Sequence, residues 1–191
     1  MATRSGERKN QILQVLAEML EAPKGEKITT AALAARLDVS EAALYRHFAS
    51  KAQMYEGLIG FVEESVFGLI NKISTEQESG LKQTHAIATM LLSFAEKNPG
   101  MTRVLIGDAL VNEDGRLQLR INQLHDRLEA ALKQSLRMAV TQGEIDKDSD
   151  AAAQANLMLA FIVGRWHQYA KSGFKRLPTE LWQKQGPMLL G

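Results

Sequence analysis

Residues 28–55 read ITTAALAARLDVSEAALYRHFASKAQMY, and the way this stretch can pack decides the fold. Small and apolar residues (Ala31, Leu33, Ala34, Leu37, Val39, Ala43, Leu44, Phe48) stand where two short helices must cross closely at a steep angle. Only Leu37 to Ser40 is left to make the turn between them. That is the layout of a helix-turn-helix, whose first helix lies across the DNA backbone while the second puts its exposed face into the major groove. Thr29 or Thr30 can cap the first helix, and the second runs from Glu41 to Phe48. Once the inward positions are assigned, Glu41, Ala42, Tyr45, Arg46 and His47 remain to meet DNA. A core tyrosine is the competing reading of Tyr45, but Leu44 and Phe48 already fill the inward positions.

Upstream, Ile12, Leu13, Leu16, Met19 and Leu20 form one apolar stripe, and Ala22-Pro23-Lys24-Gly25 stops that helix. Downstream, Ser50 and Gln53 have the spacing of a reciprocal cap. They open a long helix whose stripe is Met54, Leu58, Phe61, Val62, Val66, Leu69 and Ile73. The break at Glu76 to Gly80 leads into a helix over Leu81–Glu96, ended by Asn98-Pro99-Gly100 because the residue before proline leaves helical geometry. A shorter amphipathic piece follows over Met101–Val111. The next helix carries Leu117, Ile121, Leu124, Leu128, Leu132 and Leu136 on one face, with Gly143 as its stop. Ala151 to Lys171 is a further helix, and Pro178-Thr179 opens a last one.

The expected fold class is therefore all-α: residues 1–55 form a three-helix DNA-binding head, and residues 56–191 a larger helical body that dimerises and binds partners. Within the body, Leu157, Ala160, Phe161 and Gly164 make an apolar face with small residues, which suits the seam of a homodimer.

Composition narrows the classes. The 191 residues contain no cysteine, so disulfides, thiolate metal sites and cysteine nucleophiles are excluded. The polar, basic start MATRSGERKN is unlike a signal peptide, and no apolar run approaches the roughly 20 residues of a membrane span; the expected location is the cytoplasm, at the nucleoid, without a membrane partner. The net charge of +1 is nearly neutral, and residues 1–55 hold eight basic against six acidic side chains, so the case for DNA rests on the motif. Asp146, Asp148 and Asp150 have the spacing that opens a calcium loop, yet Ala151 and Leu157 stand where that loop needs glycine and glutamate. The histidines, 47, 85, 125 and 167, lie far apart, and no nucleophile elbow or phosphate-cradling loop is present; neither an enzyme nor a cofactor is expected.

The string VSEAALYRHFASKAQMY resembles the recognition segment of TetR-type regulators. EKNPGMTRVLIGDAL (residues 96–110) and GRLQLRINQL (residues 115–124) extend the likeness into the body, where it is similar to the nucleoid occlusion factors of that family. The resemblance implies a homodimer that binds palindromic double-stranded DNA, with one or more dimers per site, and antagonises polymers of the division protein FtsZ. By position it implies a DNA face of Thr29, Thr30, Ser40, Ala42, Tyr45, Arg46, His47 and Lys51, with Arg8 and Lys9 adding backbone contacts. Hydroxyls and a lysine at helix N-termini suit phosphate oxygens. It also implies an FtsZ groove at Phe61, Met90, Ser93, Lys97 and Asn98. This chain departs there in carrying Leu69 where close relatives have a basic residue, and Lys97 for arginine. Core packing is the competing reading of Phe61. The alternative function is a ligand-responsive repressor, whose pocket would be lined by Met90, Phe94, Met101, Phe161 and Trp166; a structural nucleoid protein is the third reading.

Overall fold

The computed structural model describes residues 2–22 and 28–190, with side chains from Gly6 onward. The expected stop at Pro23 to Gly25 lies outside the described residues. All regular elements among those described are helical: α1 (Ala2–Leu20), α2 (Thr30–Arg36), α3 (Glu41–Tyr45), α4 (Lys51–Glu76), α5 (Gly80–Lys97), α6 (Pro99–Leu105), a 3-10 turn (Asp108–Leu110), α7 (Gly115–Thr141), α8 (Ala151–Lys171) and α9 (Trp182–Leu190).

The chain divides into two compact units. The first comprises residues 1–62 and 99–121. Its core gathers Ile12, Leu16 and Leu20 of α1, Leu33 of α2, Leu44 of α3, Met54 and Leu58 of α4, Val104 of α6 and Leu117 of α7. Burying such side chains is worth about 1.5–3 kcal/mol each, which lets helices as short as α2 and α3 persist where isolated ones would not. Helix α6 approaches α1 closely: a Cβ on Gly100 would lie 2.0 Å from the Ala17 carbonyl oxygen.

The second unit comprises residues 63–98 and 122–191. Its core is built from Ile87, Leu91 and Leu92 of α5, Leu124, Leu128, Leu132 and Leu136 of α7, Ile162 and Trp166 of α8, and Trp182 of α9. The Trp166 indole N–H donates to the Leu91 carbonyl at 3.2 Å and that of Trp182 to the Thr89 hydroxyl at 2.7 Å, so both large side chains are buried without an orphaned donor. The free amides at the start of α5 are met by the end of α7. Gln142 Oε1 accepts from the Gly80 amide at 2.8 Å, and Glu144 Oε2 accepts from the Leu81 amide at 2.9 Å. Gly143, in the left-handed region at φ 70°, turns the chain there, in line with its expected role as a stop.

Three local expectations are corrected. Helix α3 ends at Tyr45 and not at Phe48, because Arg46 and His47 form a turn that leads to the next cap. Phe61 and Leu69 are 50% and 42% exposed, so they lie off the buried row of α4, which is Met54, Leu58, Val62, Val66 and Ile70. The last helix begins at Trp182, since Leu181 takes a left-handed conformation at φ 67° that closes the turn opened by Pro178.

Candidate nucleic-acid interface

Two side-chain caps define the head. Thr29 Oγ1 accepts from the Ala32 amide at 3.1 Å and starts α2; Ser40 Oγ accepts from the Ala43 amide at 3.3 Å and starts α3. Between them Asp38 sits at φ 54°, and the Val39 amide returns to the Ala34 carbonyl at 3.0 Å, which makes the sharp turn a four-residue linker needs. Leu33, Ala34 and Leu44 are buried in the crossing.

The burial of Leu44 and Phe48 turns the other face of α3 outward. Ala42, Tyr45 and Arg46 are exposed, with Tyr45 at 46%, while His47 is half-buried. A short chain of hydroxyls joins the two helices. Tyr45 Oη donates to Thr30 Oγ1 at 3.5 Å, and the Thr30 hydroxyl donates to Glu41 Oε2 at 2.5 Å. Thr29 and Ser40, although engaged as caps, remain exposed. Lys9, from α1, holds its Nζ 5.7 Å from the centre of the Phe48 ring, and Arg8 donates to Gln11.

The start of α4 is capped almost as the Ser-x-x-Gln spacing predicts. Ser50 Oγ accepts from the Gln53 amide at 3.2 Å, but the Gln53 side-chain oxygen Oε1 reaches back to accept from the Ala49 amide, at 2.8 Å, one residue before the cap. Lys51, the first residue of α4, directs its ammonium at the carboxylate of Glu113 and lies 5.6 Å from the centre of the Tyr55 ring. Burial, and then the Glu113 charge, push the Tyr55 phenol well above its ordinary pKa. The Lys51–Glu113 pair carried no sequence signal, since 62 residues separate its members. Glu41 had one: an acidic residue just inside the cap, where the helix dipole favours it.

The residues assigned to the partner groove fall in different units. Phe61 belongs to the first; Met90, Ser93 and Lys97 share one face of α5 in the second, and Asn98 caps that helix while its side chain donates to the Phe94 carbonyl at 2.7 Å. Of the five side chains considered for a small-molecule pocket, Trp166 is 1% exposed, the Phe161 and Trp182 rings are 5.8 Å apart, and Met101 packs on the core of the first unit. On α8, Leu157 is 54% exposed, Ala160 and Gly164 are exposed, and Phe161 is half-buried. A Cβ on Gly164 would meet nothing within 4 Å. Asp150, from the acidic run, is the cap of α8: it accepts from the Ala152 and Ala153 amides at 2.9 and 3.1 Å, which lowers its pKa. Among the described residues there is no group of three or more side chains able to hold a metal ion, and no helix is long and apolar enough to cross a membrane.

Comparison with known proteins bears on both parts of the chain. Residues 17–58 match the bacterial regulatory proteins of the tetR family, and residues 77–191 match the SlmA-like tetracyclin repressor-like C-terminal domain. The nucleoid occlusion factor SlmA of Idiomarina loihiensis is 50% identical over 185 residues, covering 97% of this chain and 94% of the relative. That of a Marinomonas species is 48% identical over 189 residues, covering 99% and 96%. Among solved structures, the TetR family regulator PfmR from Thermus thermophilus superposes with a TM-score of 0.78 at 22% identity, covering 94% of this chain and 96% of that one. FadR from Bacillus subtilis, solved in complex with stearoyl-CoA, gives 0.76 at 16%, covering 95% and 97%. At those identities the likeness is one of fold.

Proposed function

The chain belongs to the SlmA family of nucleoid occlusion factors, TetR-type DNA-binding regulators, and on that premise we propose that it binds palindromic chromosomal sites as a homodimer and, while bound, antagonises FtsZ polymers over the nucleoid. The observation that carries the DNA half is the paired capping of α2 and α3. Thr29 and Ser40 start two short helices whose buried crossing leaves Ala42, Tyr45 and Arg46 facing outward on a helix sized for a major groove. Thr29, Thr30, Ser40 and Lys51 position the head on phosphates, and Ala42, Tyr45, Arg46 and His47 meet the groove.

The seam of the dimer is the α8 face of Leu157, Ala160, Phe161 and Gly164, where small residues allow close approach. Phe61 on α4, and Met90, Ser93, Lys97 and Asn98 on α5, receive FtsZ. The exposure of Phe61 favours partner binding over core packing, whereas the complete burial and satisfied indole of Trp166 weigh against a ligand pocket built around it. The site of action is the nucleoid.

Selection of genomic fragments by the purified protein tests the DNA half. Recovery of a palindrome that competes for binding at physiological salt is expected. Enrichment of no sequence over the bulk genome would reduce the protein to a non-specific nucleoid binder.

A further inference from the structure

Lys51 stands in an unusual electrostatic position. It is a cation in the first turn of a 26-residue helix, where the exposed amides and the dipole favour an anion. Glu113 supplies that anion. The two side chains keep only 21% and 15% of their surface exposed, so the pair is shielded more than an ordinary surface ion pair. Glu113 is held by its backbone. Its amide donates to the Leu110 carbonyl at 3.0 Å, and Asn112 before it sits at φ 66°, so the turn that follows the 3-10 helix sets the Glu113 backbone beside Lys51. Beside it lies a cavity of about 250 Å³ whose walls include Tyr55, Arg103, Asp108, Asn112 and Glu113. The Glu113 carboxylate thus has open space beside it into which it can be displaced.

We propose that Glu113 is an internal stand-in for a DNA phosphate: it occupies Lys51 in the free protein, a duplex must displace it to reach that lysine, and Glu113 thereby sets the affinity and salt sensitivity of the head. The inference rests on the reading of Lys51 as a phosphate contact. It makes Glu113, 62 residues along the chain from Lys51, a determinant of DNA affinity that acts on every sequence alike. A phosphate that takes Lys51 releases a counterion from the duplex, but the freed carboxylate then gathers a cation from solution. The two exchanges offset each other in the salt dependence.

The test is fluorescence anisotropy of a labelled random-sequence duplex over a series of salt concentrations, with the full chain, Lys51→Ala, Glu113→Gln and the double variant; random sequence suffices because the contact is to the backbone. Thermal unfolding checks that each variant is folded, and Glu113→Ala repeats the measurement without the hydrogen-bonding capacity of glutamine. Glu113→Gln is expected to tighten binding about two- to fivefold, the effect of freeing one partly exposed pair, and to steepen the slope of log K against log salt by up to about one unit. In the Lys51→Ala background the gain should shrink to the small general effect of one fewer negative charge. If Lys51→Ala alone leaves affinity and slope unchanged, the phosphate reading of Lys51 fails and the proposal goes with it. If Lys51→Ala weakens binding while Glu113→Gln also weakens it, or helps equally in both backgrounds, Lys51 keeps its role and the stand-in is overturned.

Discussion

The phenol of Tyr45 donates to the hydroxyl of Thr30, which itself donates to Glu41, so the two ends of α3 are tied through one hydroxyl at the start of α2. On the proposed DNA reading, this bond holds the Tyr45 side chain before it meets a groove and lowers the entropic cost of binding. Tyr45→Ala is expected to weaken binding to the selected palindrome by about 1–3 kcal/mol and to reduce discrimination against random duplex, whereas Lys51→Ala should weaken both alike. Anisotropy with the two duplexes separates the cases. Equal loss of discrimination in both variants would contradict this division.

The exposed α8 face leads to a second expectation. Ala160→Glu combined with Gly164→Glu places like charges opposite each other in the proposed seam, and the protein should elute and scatter light as a monomer whose affinity for the palindrome falls toward that of a half-site. A dimer that survives both charges would move the seam to another surface.

Gly80 begins α5 against the backbone of α7, and a Cβ there would lie 2.3 Å from the Ala139 amide nitrogen and 2.4 Å from the Ser135 carbonyl oxygen. Backbone cannot yield as a side chain can. Gly80→Ala should cost about 1–3 kcal/mol and lower Tm by about 2–12 °C, read by circular dichroism. Gly68→Ala, with nothing within 4 Å, is the control and should not destabilise.

The caps also predict a direction with pH. The side-chain and backbone hydrogen bonds of Arg116 hold the Asp114 carboxyl down at about 2, the Ser79 and Leu81 bonds lower that of Glu144, and the α8 amides lower that of Asp150. A depressed folded-state pKa stabilises above the unfolded value and loses that contribution as pH falls through the folded one. Tm should therefore be unaffected by these groups near neutrality and drop below the ordinary carboxylate range. Asp150→Asn should flatten part of that acid limb. An unchanged limb would show that the cap carries no linkage.

How far the sequence could be read follows from the range of each interaction. The limits of α8 were legible because its apolar run is a local signal, and the Ser50 and Gln53 cap because its partners are neighbours. The helix-turn-helix was legible for the same reason. Apolar spacing alone placed Phe61 and Leu69 on the α4 stripe, since a helix shows which residues share a row but not how wide the buried row is. The start of α9 was missed because Leu181 takes a conformation unusual for leucine, which no local preference announces. The grouping of residues 99–121 with the N-terminal unit, and the Glu113 carboxylate it brings to Lys51, depend on packing between distant segments. Periodicity has no term for that.

On the proposed reading, DNA binding and antagonism of FtsZ belong to one molecule and act together. Sedimentation of FtsZ polymers, with the protein alone, with random duplex and with the selected palindrome, tests it most directly. Polymer should leave the pellet most strongly when the palindrome is present, and Phe61→Ala should abolish the effect while leaving DNA affinity nearly unchanged. Polymer that pellets to the same extent under all three conditions would contradict the account and return the protein to ordinary transcriptional regulation.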